Sequence, residues 1–401
     1  MNNKKKKILA FTEKLNRYIK NNGRKIKISF LLLLFLFNYI FRNNNLFSRK
    51  FHKKYAIQYI KNFLLKYLNN SHFTTSINYF PNISVIIPLY NCQNSIEKSI
   101  LSIQIQNFKN YEIILINDYS NDNTSNIVNK IKEKDSRIRI INNKKNMGIL
   151  YSRSIGTLNA KGKYVFCLDN DDLFFDENLF GKIFEISESK DYDIVEFKSF
   201  YVKKLCSQIK LSEIKDSPFN DHPENYSLIQ PELGLFPISR KNKFFANDHH
   251  LWGKSIKTKL YQNAINKLTK KNYSIYNCWT EDVSIIFIIF NIAQTFLFVG
   301  IYGIIHLDYK QSTSHTLHYS KKLMAELFLL NIIIEFIKNI ELNKRLILQK
   351  LEQIIKSKYY LSLNSQHINA LNIIYKKIIK IGSLTKKDKK FLSKYMTHKI
   401  D

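Results

Sequence analysis

Lys163-Tyr164-Val165-Phe166-Cys167-Leu168-Asp169-Asn170-Asp171-Asp172 is the stretch that decides the fold. Tyr164 to Leu168 form a short apolar run, the pattern of a buried strand. Three carboxylates in the next four positions repel one another unless a cation shares them. Hard divalent ions prefer oxygen ligands of this kind. In an open α/β sheet, ligands bind outside the carboxyl ends of the strands. Position and chemistry therefore agree on a metal site that holds a phosphate ester. The plainer alternative is a solvated acidic turn ahead of a helix, and this stretch alone does not choose between them.

The neighbouring segments do choose. Upstream, Ile83-Ser84-Val85-Ile86-Ile87-Pro88-Leu89-Tyr90-Asn91 is an apolar run that stops at a proline and a turn residue. Tyr111-Glu112-Ile113-Ile114-Leu115-Ile116-Asn117-Asp118 is a second buried strand ending in a carboxylate. Between them, residues 95–106 carry apolar side chains at helical spacing, including Ile96, Ile100 and Ile103. Residues 122–134 read as the next helix, 137–142 as a third strand and 152–159 as a helix before the acidic strand. Strands alternating with helices over short connections predict a mostly parallel, Rossmann-like sheet with right-handed crossovers.

Five pieces in this order resemble family 2 glycosyltransferases, the group with the GT-A (nucleotide-diphospho-sugar transferase) fold. They are Val85 to Asn91, Asn117 to Thr124, Asn146-Met147-Gly148 with Ser152 to Gly156, Asp169 to Asp172, and Thr280-Glu281-Asp282. The resemblance covers residues 82–314, and five motifs in register are far more specific than any one alone. Family members commonly carry two acids where this chain has Asn117-Asp118.

The resemblance implies a nucleotide-sugar donor, a bound Mn²⁺ or Mg²⁺, and these residue roles. Pro88, Tyr90, Asp118, Arg153 and Asp169 line the nucleotide-sugar pocket. Asp171, with Asp169, holds the metal, which neutralises the diphosphate as the sugar–phosphate bond breaks. Asp282, expected at the start of a helix, is the general base. One base opposite the leaving group implies a single displacement with inversion. Asp172, Trp252 and Glu281 fall on the acceptor side.

Each residue also has a plainer reading. Tyr90 stacks on a base or packs at a strand end. Asp118 accepts from the N3–H of uracil or caps a helix. Arg153 meets the diphosphate, the carboxylates or a surface partner. Thr280 caps its helix, and acids in a first turn are common. Trp252 stacks on a sugar or lies in the core. A lone histidine such as His306 is more often structural than a ligand.

The chain has 401 residues, of which 45% are hydrophobic, enough to build one large domain with appendages. Sixty-three basic against 32 acidic residues give a net charge of +31. Lysine is spread throughout, without basic blocks interleaved with aromatics. Net charge bears on non-specific binding and not on fold, so no nucleic-acid partner is expected. Four cysteines without C-x-x-C spacing exclude a zinc site of that type.

Residues 28–41 are almost wholly apolar after a basic segment, 1–27. As a helix this segment spans ~21 Å, short of the ~30 Å hydrocarbon core unless flanking Lys25, Lys27 and Arg42 snorkel. It reads as an uncleaved signal anchor, or as a buried or interfacial helix. By resemblance to eukaryotic type II forms, 42–80 is a stem and 81–316 a catalytic domain in a Golgi or ER lumen. The apolar stretch 283–307 is broken by Asn291, Gln294, Gly300 and Gly303, so it splits into a helix over 283–293 and a strand over 295–302. Residues 317–401 carry helical periodicity over 323–337, 346–360 and 368–381, which reads as a small helical appendage packed on the catalytic domain, as a self-association surface or, since basic amphipathic helices also bind anionic lipids, as a membrane-surface element.

The expected activity is metal-dependent, inverting transfer from a nucleotide sugar, UDP-linked, to a glycan, glycoprotein or glycolipid. The rival is a catalytically inactive membrane protein of the same fold that binds glycans or partners.

Overall fold

The structure, a computed structural model, describes residues 80–203, 214–216, 227–229, 250–268, 280–308, 318–336, 340–357 and 364–380, with 385, 386, 388–390 and 392. The chain divides into two compact units. The larger comprises His72–Tyr201, Asp216–His306 and Lys310–Asp401, and contains every site residue predicted above. Of the smaller, the described residues are Val202, Lys203, Ile214, Lys215, Leu307 and Asp308, all in strands.

Strand and helix alternate from the start. β1 (Ile83–Leu89), α1 (Ile96–Gln104), β2 (Tyr111–Asn117), α2 (Thr124–Lys132), β3 (Ile138–Asn142), α3 (Ile149–Leu158) and β4 (Tyr164–Cys167) follow in order. Then come β5 (Leu173–Phe174), α4 (Leu179–Ser189), β6 (Ile194–Lys203), β7 (Ile214–Asp216), β8 (Ser227–Ile229), β9 (Lys254–Lys257) and α5 (Thr258–Lys267). The chain ends in α6 (Glu281–Ile292), β10 (Thr295–Asp308), α7 (Tyr319–Phe336), α8 (Ile340–Lys356) and α9 (Ser365–Lys380).

The sheet order is β3-β2-β1-β4-β9-β6-β10-β5. β1 pairs in parallel with β2 and β4, and β2 with β3. β9 is antiparallel to both β4 and β6, β10 to β5, and β8 to β10. The expected mostly parallel sheet is thus parallel in one half only. The βαβ alternation that forces parallel pairing stops after β4, and β9 enters from the opposite direction.

β1, β2 and β4 are buried along their whole length, as strands covered on both faces must be. Their side chains still sort by parity. Ile86, Ile114, Ile116, Val165 and Cys167 face one core with α3, α5 and α6. Val85, Ile87, Ile113, Leu115 and Phe166 face the other with α1 and α4. Gly156 lets α3 close on the sheet: a Cβ there would lie 2.6 Å from Ile86 Cγ2 and 2.7 Å from Ile116 Cδ1.

The stretch 283–307 splits as expected into α6 and β10. α6 is apolar all round because it is enclosed, packing against α3, α5 and α7. The C-terminal helices pack against the rest of the larger unit, with α7 lying on α6. Leu323, Leu327, Leu330, Ile347, Leu351 and Ile374 share one core with Ile285 and Ile289 of α6. Among the described residues no helix is long and apolar enough to cross a membrane. The predicted tail, anchor and stem (1–80) lie outside the described residues except for Phe80, as do Cys206 and Cys278.

Candidate active site

The parallel strands β1, β2 and β4 present Tyr90, Asp118 and Asp169 at or just beyond their carboxyl ends. β4 ends at Cys167, and Leu168 leads into the acidic loop. Asn170 ties that loop to the sheet: its Nδ2 donates to the Pro88 carbonyl (2.9 Å), and its carbonyl accepts from Ser99 Oγ (2.9 Å). Pro88 therefore contributes a backbone oxygen, not a ligand-facing ring. Tyr90, just beyond β1, is 49% exposed and available to a planar ligand.

Arg153 is the hub. It lies on α3 at 2% exposure, and its Nη1 donates to Glu281 Oε1 (3.1 Å) and to Asp282 Oδ1, while Nη2 donates to Asp169 Oδ1. Burial works against its charge, but Asp282, Asp169 and Glu281 together hold the guanidinium protonated well above its ordinary range. Its Nε is buried without a hydrogen-bond partner. Among the described residues its partners are carboxylates, and its burial rules out a surface ion pair.

Asp282 occupies the first turn of α6, and its Oδ2 accepts from Leu251 N (3.4 Å). Burial raises its pKa to about 6, against the pull of Arg153. Glu281 beside it is pushed to about 8 by burial and by Asp282. Thr280 does not cap the helix; its hydroxyl donates to the Ala325 carbonyl on α7 (2.9 Å).

Asp171 is pushed to about 8, first by burial and then by Asp172 and Asp169. No hydrogen bond or ion pair from another described side chain reaches its carboxylate. Among the described residues no three His, Cys, Asp or Glu side chains form a group able to hold an ion. Asp171, with Asp169 two positions before it, offers the one or two carboxylates with which an ion of the magnesium class is bound when water and substrate phosphate complete its shell. Asp171 fits such an ion best, because one oxygen of Asp169 is already committed to Arg153.

Three predicted placements need correction. Asp172 is fully buried and pairs with His306 Nδ1 (2.9 Å and 3.1 Å), so it does not face an acceptor. Asp172 holds His306 protonated up to about 9 although burial opposes the charge. Trp252 is 5% exposed and stacks on His250 (4.5 Å) and His306 (5.2 Å), which makes it core and not a sugar platform. Glu281 is 9% exposed and turned to Arg153.

Asp118 has an unforeseen duty. Its Oδ1 accepts from Asn143 Nδ2 (2.7 Å) and Met147 N (2.8 Å), and its Oδ2 from Gly148 N (2.8 Å). Gly148 sits at φ 87°, the left-handed region that suits glycine, immediately before α3. Asp118 thus fixes the loop that aims α3, and keeps one oxygen lone pair for a ligand. The sequence did hold a signal for this, the closely spaced Asn143, Asn146 and Gly148 before an apolar helical run.

Comparison with known proteins accords with this geometry. Residues 84–249 match the family described as Glycosyl transferase family 2. An uncharacterized glycosyltransferase of Haemophilus influenzae is 31% identical over 223 residues, 51% of this chain and 68% of the relative. WfaP of Escherichia coli, a UDP-Glc:alpha-D-GlcNAc-diphosphoundecaprenol beta-1,3-glucosyltransferase, is 35% identical over 122 residues, 30% of this chain and 47% of WfaP. The chain spans from 14% to 47% of the length of the other bacterial relatives compared, WfaP included. The crystal structure of S. aureus TarS 1-349 in complex with UDP-GlcNAc superposes with a TM-score of 0.54 at 17% identity, over 74% of this chain and 81% of that one. These relatives are bacterial, so they lend no support to the eukaryotic Golgi form implied by the motifs.

Proposed function

The chain belongs to glycosyltransferase family 2, and on that premise we propose that it moves a sugar from a UDP-linked donor to a hydroxyl of a glycan or glycolipid, with inversion. One observation carries the reading. Asp169 at the end of β4 and Asp282 at the start of α6 are bridged by Arg153, which sets the donor-side acids and the base candidate side by side.

In this reading Tyr90 stacks on the base. Asp171, with the free oxygen of Asp169, holds Mn²⁺ or Mg²⁺, which when bound neutralises the departing diphosphate. Asp282 takes the acceptor proton; a base with a pKa of about 6 is ionised at neutral pH and still basic enough to work. The acceptor class is suggested by WfaP, whose name specifies a lipid-diphosphate-linked sugar. Membrane attachment through 28–41 accords with such an acceptor. Intact Asp171 and Asp282 speak against the inactive, binding-only reading.

The test is release of UDP from a panel of UDP-sugars with Mn²⁺, with lipid-diphosphate-linked sugars as acceptors. Turnover that disappears in Asp171→Asn and on chelation supports the proposal. Metal-independent turnover, or none with any UDP-sugar while the protein is folded, overturns it.

A further inference from the structure

Tyr119 follows Asp118 at the carboxyl end of β2. It is 60% exposed, and its φ is 65°. That region suits glycine and is sterically costly for an aromatic residue. The surrounding bonds impose it. Asn117 Oδ1 accepts from Ser120 N (3.1 Å), Ser120 Oγ accepts from Asn91 N (3.1 Å), and Asn91 Oδ1 accepts from Asn121 N (2.9 Å). Asn91 is itself left-handed, at φ 48°. The loops after β1 and β2 are therefore cross-bonded, each around a residue in the left-handed region.

The result is a pair of exposed rings at the ends of adjacent parallel strands. Tyr90 and Tyr119 flank a register in which Leu89 pairs with Asn117 and Asp118 N donates to the Leu89 carbonyl (2.8 Å). Both lie at the sheet end that carries Asp169 and Asp171. Strain held in place by surrounding structure concentrates at binding sites, and an exposed aromatic face can stack on a flat ligand.

We propose that Tyr119 is a second aromatic contact for the nucleobase of a bound nucleoside diphosphate, alongside Tyr90. The proposal rests on the nucleotide-sugar reading of the site. Every base has a π-face, so two rings bring affinity for a nucleotide over a bare diphosphate without requiring a particular hydrogen-bond pattern.

The experiment measures Kd for UDP and for inorganic diphosphate, both with Mn²⁺, in the wild-type chain and in Tyr119→Gly, Tyr119→Phe and Tyr90→Ala. Glycine accepts the left-handed backbone, so Tyr119→Gly is expected to melt no lower than wild type. Its Kd for UDP rises about tenfold, the order lost with one base–aromatic stack, while its Kd for diphosphate is unchanged. Tyr119→Phe keeps the ring and keeps most of the affinity. Unchanged UDP binding by Tyr119→Gly overturns the proposal, as does equal weakening toward UDP and diphosphate, which would report a displaced loop. If Tyr90→Ala loses UDP affinity and Tyr119→Gly does not, this inference alone falls. Absence of UDP binding by the wild-type chain overturns the nucleotide-sugar reading, and this inference with it.

Discussion

Arg153 on α3 bonds to Asp282 on α6 across 129 residues of sequence. The same guanidinium holds Glu281 and Asp169, so three carboxylates share one buried cation. Removing one partner of such a group leaves the others paired, which makes Asp282 replaceable without collapse of the site. Removing Arg153 would strand several buried charges at once, a far more destabilising change.

Asp282→Asn therefore separates chemistry from folding. One carboxylate oxygen accepts from Arg153 and the other from Leu251 N, so asparagine keeps the shape but turns an NH₂ group toward one of these donors, and it is a far weaker proton acceptor. Transfer falls by roughly 10²–10⁴-fold with UDP affinity close to wild type, while the melting temperature falls only by the few degrees that an unsatisfied buried group of about 1–3 kcal/mol brings. Steady-state transfer assays with calorimetry on the same samples check this. Near-normal transfer would move the base role to another acid.

The acids around the site also set a pH dependence of stability. Asp171 rises from 3.8 to about 8, Glu281 from 4.5 to about 8, Asp282 from 3.8 to about 6, and His306 from 6.5 to about 9. Each group holds its proton more tightly in the folded chain than in the unfolded one. Stability from these groups is thus fully present below the unfolded values and lost as pH rises through the folded ones. Asp171→Asn removes one of them. Its melting temperature, measured without metal, should match wild type only below about pH 4, exceed it increasingly up to about pH 8 and hold that margin above. Saturating Mn²⁺ and UDP should reverse the order, because only the wild type binds them well. A variant less stable than wild type at pH 9 without metal would make Asp171 a structural acid.

The parts of this site that were legible in the sequence are local. β1, β2 and β4 announce themselves as short apolar runs closed by turn chemistry, so the positions of Tyr90, Asp118 and Asp169 follow directly. Asp282 is legible because an acid precedes an apolar run. What escaped depends on distant partners. Asp172 meets His306 across 134 residues, and that pairing turns a supposed acceptor-side acid into a buried one. Trp252 offers an aromatic face in sequence, but His250 and His306 occupy it in space. The antiparallel half of the sheet is hidden for the same reason, since strand direction there follows no βαβ rule.

The C-terminal helices give a further prediction. Leu323, Leu327, Leu330 and Ile334 of α7 are buried in the core that holds α6, and Thr280 donates to Ala325. A chain ended after residue 316 would expose that face of α6, with each large side chain uncovered costing about 1.5–3 kcal/mol. Such a chain is expected to be insoluble, or to lose its cooperative melting and UDP binding together. A truncated protein that melts cooperatively and binds UDP would show that the rest of the domain folds without these helices.

Asp118 tests whether an acid predicted to read the base instead anchors a loop. Three donors converge on its carboxylate, from Asn143, Met147 and Gly148. Asp118→Asn exchanges one acceptor oxygen for an NH₂ group, so at least one buried donor loses its partner and meets another donor. The cost of such an unsatisfied group is about 1–3 kcal/mol. A kilocalorie shifts the midpoint of a domain this size by roughly 2–4 °C, so thermal melting resolves the effect. Because the same loop aims α3, and α3 carries Arg153, the damage reaches the acids as well as the base pocket. UDP and inorganic diphosphate should therefore both bind more weakly to Asp118→Asn. A variant with an unchanged melting temperature and a loss confined to UDP would restore Asp118 to direct contact with uracil, and the loop would then owe its position to Gly148 and Asn143 alone.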